Sequence, residues 1–75
     1  MPRSQHSTRY KRFCGLLIEA RQAKGLTQTE VARRLGRPQS FIAKYEGGER
    51  RLDVVEFLEV AEAIGVPALK ILRGL

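Results

Sequence analysis

Four side chains in one short stretch carry the most legible chemistry of this sequence: Gln39, Ser40, Phe41 and Lys44. They lie in a segment running from Pro38 to Glu46, in which Ile42 and Tyr45 are three residues apart and face one way. That leaves the four on the outward side. Each type suits the edge of a base pair in a major groove. A glutamine amide offers a donor and an acceptor to adenine, and a serine hydroxyl can do either job. A phenylalanine ring can rest on a thymine methyl, and a lysine reaches guanine acceptors or phosphate. Phe41 has a second suitable place, packed sideways on a partner subunit.

A second group has the chemistry of phosphate binding. Thr27 and Glu30 form a Thr-x-x-Glu capping box, which marks a helix start. The free amides and positive dipole end of that start favour an anion, and Gln28 and Thr29 add polar side chains. Arg37 precedes Pro38, and Arg50 and Arg51 follow the outward segment, placed to hold further phosphates. Arg9, Lys11 and Arg12 approach from the other end of the chain.

The elements that must position these groups are helices. Residues 1–9 lack any apolar period and read as a flexible basic arm. Residues 10–75 then form one domain. A first helix is expected from about Tyr10 to Lys24, with Phe13, Leu17, Ala20 and Lys24 on one face, stopped by Gly25. A second opens at Thr27 and ends at Gly36. A third starts at Pro38, a residue suited to a first helical position, and ends at Gly47-Gly48. A fourth is capped by Asp53, with Glu56 at the reciprocal position, and stops at Gly65. Its Glu56, Glu59 and Glu62 line one stripe, expected to be solvated. A short fifth helix begins near Pro67. No run alternates with the period of a strand, so the fold class is all-α. The very short link through Gly36 makes helices two and three a helix-turn-helix.

Charge supports a polyanionic partner. The chain has 75 residues, a net charge of +6 and a pI near 10.3. Residues 1–51 hold 12 Lys/Arg against 4 Asp/Glu, a net +8; residues 52–75 hold 2 against 4, a net −2. The basic front therefore faces the partner and the back third is structural. Cys14 is the one cysteine, so no intrachain disulfide forms, and its apolar neighbours make it a small core residue. His6 stands alone in the arm. No Cys/His cluster, no Gly-rich phosphate loop and no nucleophile beside a base is present, so neither a metal, a cofactor nor an enzyme is expected. No stretch is long and apolar enough for a membrane span, and the expectation is a cytoplasmic protein.

The stretch Gly25-Leu26-Thr27-Gln28, Val31-Ala32, Leu35-Gly36, Gln39-Ser40-Phe41-Ile42, Lys44-Tyr45-Glu46 and Gly48 resembles the phage repressor, Cro and Xre family of helix-turn-helix regulators. The likeness covers roughly residues 12–74. It implies a compact five-helix bundle of the lambda-repressor-like type in a bacterial or phage cytoplasm, associated with the nucleoid. It also implies that Gln28 contacts phosphate, that Gln39 and Ser40 read bases, and that Lys44 contacts DNA. Arg21 would pair with Glu46 as a structural tie. The family usually binds two-fold symmetric operators as homodimers. Dimerisation here would fall to helices four and five or the arm. The expectation is thus a transcriptional regulator, a repressor or autoregulator, that binds a palindromic operator in double-stranded DNA as a homodimer. The alternative is an antitoxin-like protein-interaction component in which DNA binding is secondary.

Overall fold

Five helices in the computed structural model, which describes residues 7–75, follow the boundaries that the capping residues set: α1 Thr8–Ala23, α2 Gln28–Leu35, α3 Gln39–Glu46, α4 Val54–Ile64 and α5 Ala68–Arg73. Among the described residues there is no strand. Both expected capping boxes are made. The Thr27 hydroxyl accepts from the Glu30 amide at 3.1 Å, and the Glu30 carboxylate accepts from the Thr27 amide at 2.8 Å. Asp53 and Glu56 exchange the same pair of bonds at the start of α4. Two first-turn donors that would otherwise lack partners are satisfied at each helix.

Residues 7–9, placed in the expected arm, belong to α1 and its cap. Ser7 caps α1, its hydroxyl accepting from the Tyr10 amide at 3.0 Å, so Thr8 and Arg9 are helical. Residues 1–6, His6 among them, lie outside the described residues. At α3 the correction runs the other way: Pro38 is the residue before the helix, with extended backbone, and Gln39 is the first helical residue.

The core explains the order of packing. Leu17 of α1, Val31 and Ala32 of α2, Ile42 and Tyr45 of α3, Phe57, Val60 and Ile64 of α4 and Ile71 of α5 meet in one buried cluster. Of the expected inner face of α1, Leu17 is in the core and Phe13 and Ala20 pack against it, with Tyr10 and Cys14 buried beside them, while Ala23 and Lys24 are exposed. Cys14 is buried as expected, and that burial pushes its thiol up. Helix α2 packs on α3 and α4, and α5 closes the bundle against α1 and α4. The Arg12 guanidinium donates to the Gly74 carbonyl at 2.6 Å and ties the end of α5 to α1.

The link between α2 and α3 fixes the angle that presents α3. Gly36 takes a left-handed backbone, φ 69°, which a residue with a Cβ adopts at a cost. The Arg37 amide then donates back to the Ala32 carbonyl at 3.0 Å, closing the end of α2 within two residues of Leu35. Small Ala32 is 3% exposed at this junction.

Candidate nucleic-acid interface

Helix α3 turns Ile42 and Tyr45 inward and leaves Gln39, Ser40 and Lys44 exposed on its far side. Pro38, Gly36 and Arg37 are exposed beside them, as is Thr29 at the start of α2. Phe41 is not on this outward face. It is only 7% exposed, and its ring meets Tyr45 edge-on with centroids 5.6 Å apart. The reason is spacing. Phe41 and Tyr45 are four residues apart, one helical turn, so both point to the same side. Neither a thymine methyl nor a partner subunit is within easy reach of a ring so enclosed.

The buried ring instead organises the arginines. The Arg37 guanidinium lies 4.5 Å from the Phe41 centroid and that of Arg50 lies 4.8 Å from it. Both converge on Glu56, at 3.6 Å from Arg37 and 2.8 Å from Arg50. Glu56 is therefore not part of a solvated stripe. Its side chain is 14% exposed, and hydrogen bonds from Arg50 and the Asp53 backbone lower its carboxyl to about 2. Glu59 and Glu62 do face solvent. The capping box is readable in the sequence, but the arginine partners of Glu56 are not, because they arrive from two different loops.

Arg51 stacks over the Tyr10 ring at 4.5 Å. The Tyr10 hydroxyl accepts from the Leu52 amide at 3.3 Å and donates to the Arg50 carbonyl at 3.5 Å. This holds the loop after α3 against α1, with Arg50 on Phe41 and Glu56 and Arg51 on Tyr10.

Behind α3 lies the tie between Arg21 and Glu46. The Arg21 Nε donates to Glu46 Oε2 at 2.7 Å and its Nη2 to Oε1 at 3.1 Å. A third bond runs from Nη1 to the Leu26 carbonyl at 2.8 Å. The hydrogen bonds that Arg21 donates to the Glu46 carboxylate raise its pKa above its already high value. Gln28 joins the same group: its Nε2 donates to Glu46 Oε1 at 2.8 Å, while its Oε1 accepts from Gln39 Nε2 at 2.6 Å. Of the site residues expected on α2 and α3, Gln28 and Gln39 are thereby brought into contact. Gln28 proves to be half-buried and engaged on both sides of its amide, which its position alone does not reveal.

A second surface is apolar. Val54, Val55, Leu58, Leu69, Leu72 and Leu75 are exposed on α4, α5 and the residues beyond it. Val54, Leu72 and Leu75 line a groove of about 360 Å³ with Phe13 and Phe57, rimmed by Arg9, Arg51 and Asp53. Among the described residues, no helix is long and apolar enough to cross a membrane.

Residues 17–71 match the helix-turn-helix family. The chain belongs to that family, in its Xre/Cro regulator branch. It is 51% identical to an XRE-family like protein from Pseudomonas syringae pv. tomato, with a TM-score of 0.86 over 91% of this chain and 83% of that one. It is 29% identical to the restriction-modification controller protein C.AhdI from Aeromonas hydrophila, with a TM-score of 0.79 over 87% of this chain and 98% of that one. An uncharacterized HTH-type transcriptional regulator of Sinorhizobium fredii, y4dJ, is 44% identical over 46 residues, 61% of this chain. The match spans 60% of that relative's length. In this Xre/Cro-type chain Gln39, Ser40 and Lys44 lie on the exposed side of the helix-turn-helix, with Gln28 half-buried behind them.

Proposed function

We propose that the chain is a transcriptional regulator that binds double-stranded DNA with α3 in the major groove. The observation that carries this reading is the exposed row Gln39, Ser40 and Lys44 on the outward face of an Xre/Cro-type motif, with exposed Arg37 in the turn just before α3. Gln39, Ser40 and Lys44 contact base edges, whose donor and acceptor patterns differ between base pairs. Arg37, Arg50, Arg51, Thr29 and the first-turn amides of α2 hold phosphates on either side and fix the register. Gln28 shares that work from its place at the start of α2.

A second copy of the chain covers the apolar groove formed by the start of α1, the start of α4 and the end of α5. Its rim carries both signs, Arg9 and Arg51 against Asp53, so one copy can set its cations against the other's carboxylate in an isologous contact. A two-fold dimer reads a palindrome with half-sites about one helical turn, ~34 Å, apart. Occupancy of such an operator represses by excluding polymerase.

Selection from a pool of random duplex DNA by the purified chain, at near-physiological salt, tests the reading. An enriched palindrome with that spacing is expected. Enrichment of a lone half-site overturns the dimer, and a pool left unenriched overturns sequence-specific regulation.

A further inference from the structure

Two guanidiniums stand beside the Glu56 carboxylate, and they hold it differently. Arg50 binds end-on, its Nη1 donating to Oε1 at 2.9 Å and its Nη2 to Oε2 at 2.8 Å. The Asp53 amide adds a third bond, to Oε1 at 3.1 Å. Arg37 comes only to 3.6 Å from Oε2, beyond hydrogen-bond reach, and rests over the Phe41 ring at 4.5 Å from its centroid. Toward the described residues the Arg37 guanidinium donates no hydrogen bond. Its side chain is 40% exposed, in the run 36–40 that is exposed throughout and leads into α3. The carboxylate is thus satisfied without Arg37, and the donors of Arg37 stay unspent.

We infer that Arg50 is a positioning residue for Arg37: by occupying Glu56 it keeps that carboxylate from capturing the turn arginine, and so leaves the Arg37 guanidinium for a phosphate of the DNA backbone. This rests on the reading of Arg37 as a phosphate contact. The physical basis is competition for one anion. An arginine and a carboxylate pair through two parallel bonds, which a phosphate would have to displace. The Glu56 side chain is only 14% exposed, so a carboxylate left unpaired there draws in the nearest cation. Without Arg50 that cation is Arg37, which needs only a small movement over the Phe41 ring to close the gap. With Arg50 in place, Arg37 can leave for DNA while Glu56 keeps three hydrogen bonds. Phe41 suits this division, since its ring supports both guanidiniums without spending a donor of either. Arg50 gives three of its five N–H groups to Glu56 and the Arg51 carbonyl, and the other two remain for a phosphate contact of its own.

The test is the effect of Arg37→Ala in three backgrounds of the full chain, read as the slope of log affinity against log salt on the duplex enriched by selection. In wild type the change should flatten the slope by about one. In Arg50→Leu, where Glu56 holds Arg37, it should alter the slope little. In Arg50→Leu with Glu56→Gln, nothing captures Arg37, and the effect of about one should return. A loop merely loosened by Arg50→Leu would not be repaired by removing the carboxylate as well. Every variant is assayed below its unfolding midpoint, and Arg50→Gln, whose neutral amide leaves the Glu56 charge unpaired, replaces Arg50→Leu if the latter does not fold. An undiminished effect of Arg37→Ala in the Arg50 variant overturns the inference and spares Arg37 as a phosphate contact. An effect that vanishes there and fails to return with Glu56→Gln also overturns it, leaving Arg50 a structural role. No effect in any background, or no enriched duplex, removes the phosphate reading and the inference with it.

Discussion

Arg50, in the loop after α3, grips Glu56 of α4 through both terminal guanidinium nitrogens, at 2.9 and 2.8 Å, while its guanidinium lies over the ring of Phe41. The bidentate geometry fixes the guanidinium plane as well as its distance. One contact therefore joins the loop, the buried aromatic of α3 and the first turn of α4. This joint sets how stability depends on acidity.

The Glu56 carboxyl is held at about 2, below its ordinary value of about 4.5, first by Arg50 and then by the Asp53 backbone. The unfolded chain binds this proton more readily than the folded one. The contribution of Glu56 is thus full above about pH 4.5 and is lost as pH falls toward 2. Thermal unfolding across that window should show the loss, and Glu56→Gln should flatten it. Part of the slope will survive in the variant, because the Thr27 backbone amide also lowers the Glu30 carboxyl. A variant as steep as wild type would remove Glu56 from the account.

Arg21 and Glu46 are 12% and 5% exposed. Arg21→Met strands a carboxylate among buried groups, and the expected cost is about 3 kcal/mol in urea unfolding. Arg21→Met with Glu46→Leu together should recover part of that, since no charge is then left alone. A single-variant cost below about 1 kcal/mol would mean that water reaches Glu46 freely.

Base and phosphate contacts separate in binding assays. Gln39→Ala should cost about 1–3 kcal/mol on the preferred duplex and relax selectivity at one base pair. Arg51→Ala should weaken all duplexes to a similar degree and reduce the salt slope by about one. Uniform losses from both changes would contradict direct readout by Gln39.

The apolar groove among α1, α4 and α5 gives a prediction about association. Val54 is 72% exposed at the first turn of α4, where a carboxylate is also favourable to the helix dipole. Val54→Glu with Leu72→Glu should leave the thermal midpoint nearly unchanged and place four like charges in the two-fold interface. Sedimentation should then show a monomer where wild type shows a dimer. A dimer that survives both changes lies on another face.

Most helix boundaries are legible in the sequence. Thr27/Glu30 and Asp53/Glu56 mark two helix starts through their own side chains, and Gly36 and Gly65 mark two ends, because these devices are local. The Arg21–Glu46 pair follows from resemblance alone, and the structure contains it. Phe41 is harder to place, because Ile42 and Tyr45 by themselves already suggest an inner face for α3. The i, i+4 relation of Phe41 to Tyr45 is the available signal, and it widens that inner face in an eight-residue helix. Ser7 is a readable cap that the apolar pattern hides, since no apolar period precedes Tyr10. The partners of Glu56 and the Gln39–Gln28–Glu46 chain have no such signal. They join residues that only the tertiary fold brings together, and sequence spacing does not encode them.

The most direct test compares the affinity of the purified chain for its enriched duplex with that for a scrambled duplex of equal length and composition, across a range of salt concentrations. A preference of at least about 1,000-fold at physiological salt is expected, with a steep salt dependence shared by both duplexes. Equal affinities at every salt concentration would contradict the account, leaving a basic helical bundle that binds polyanions without reading them.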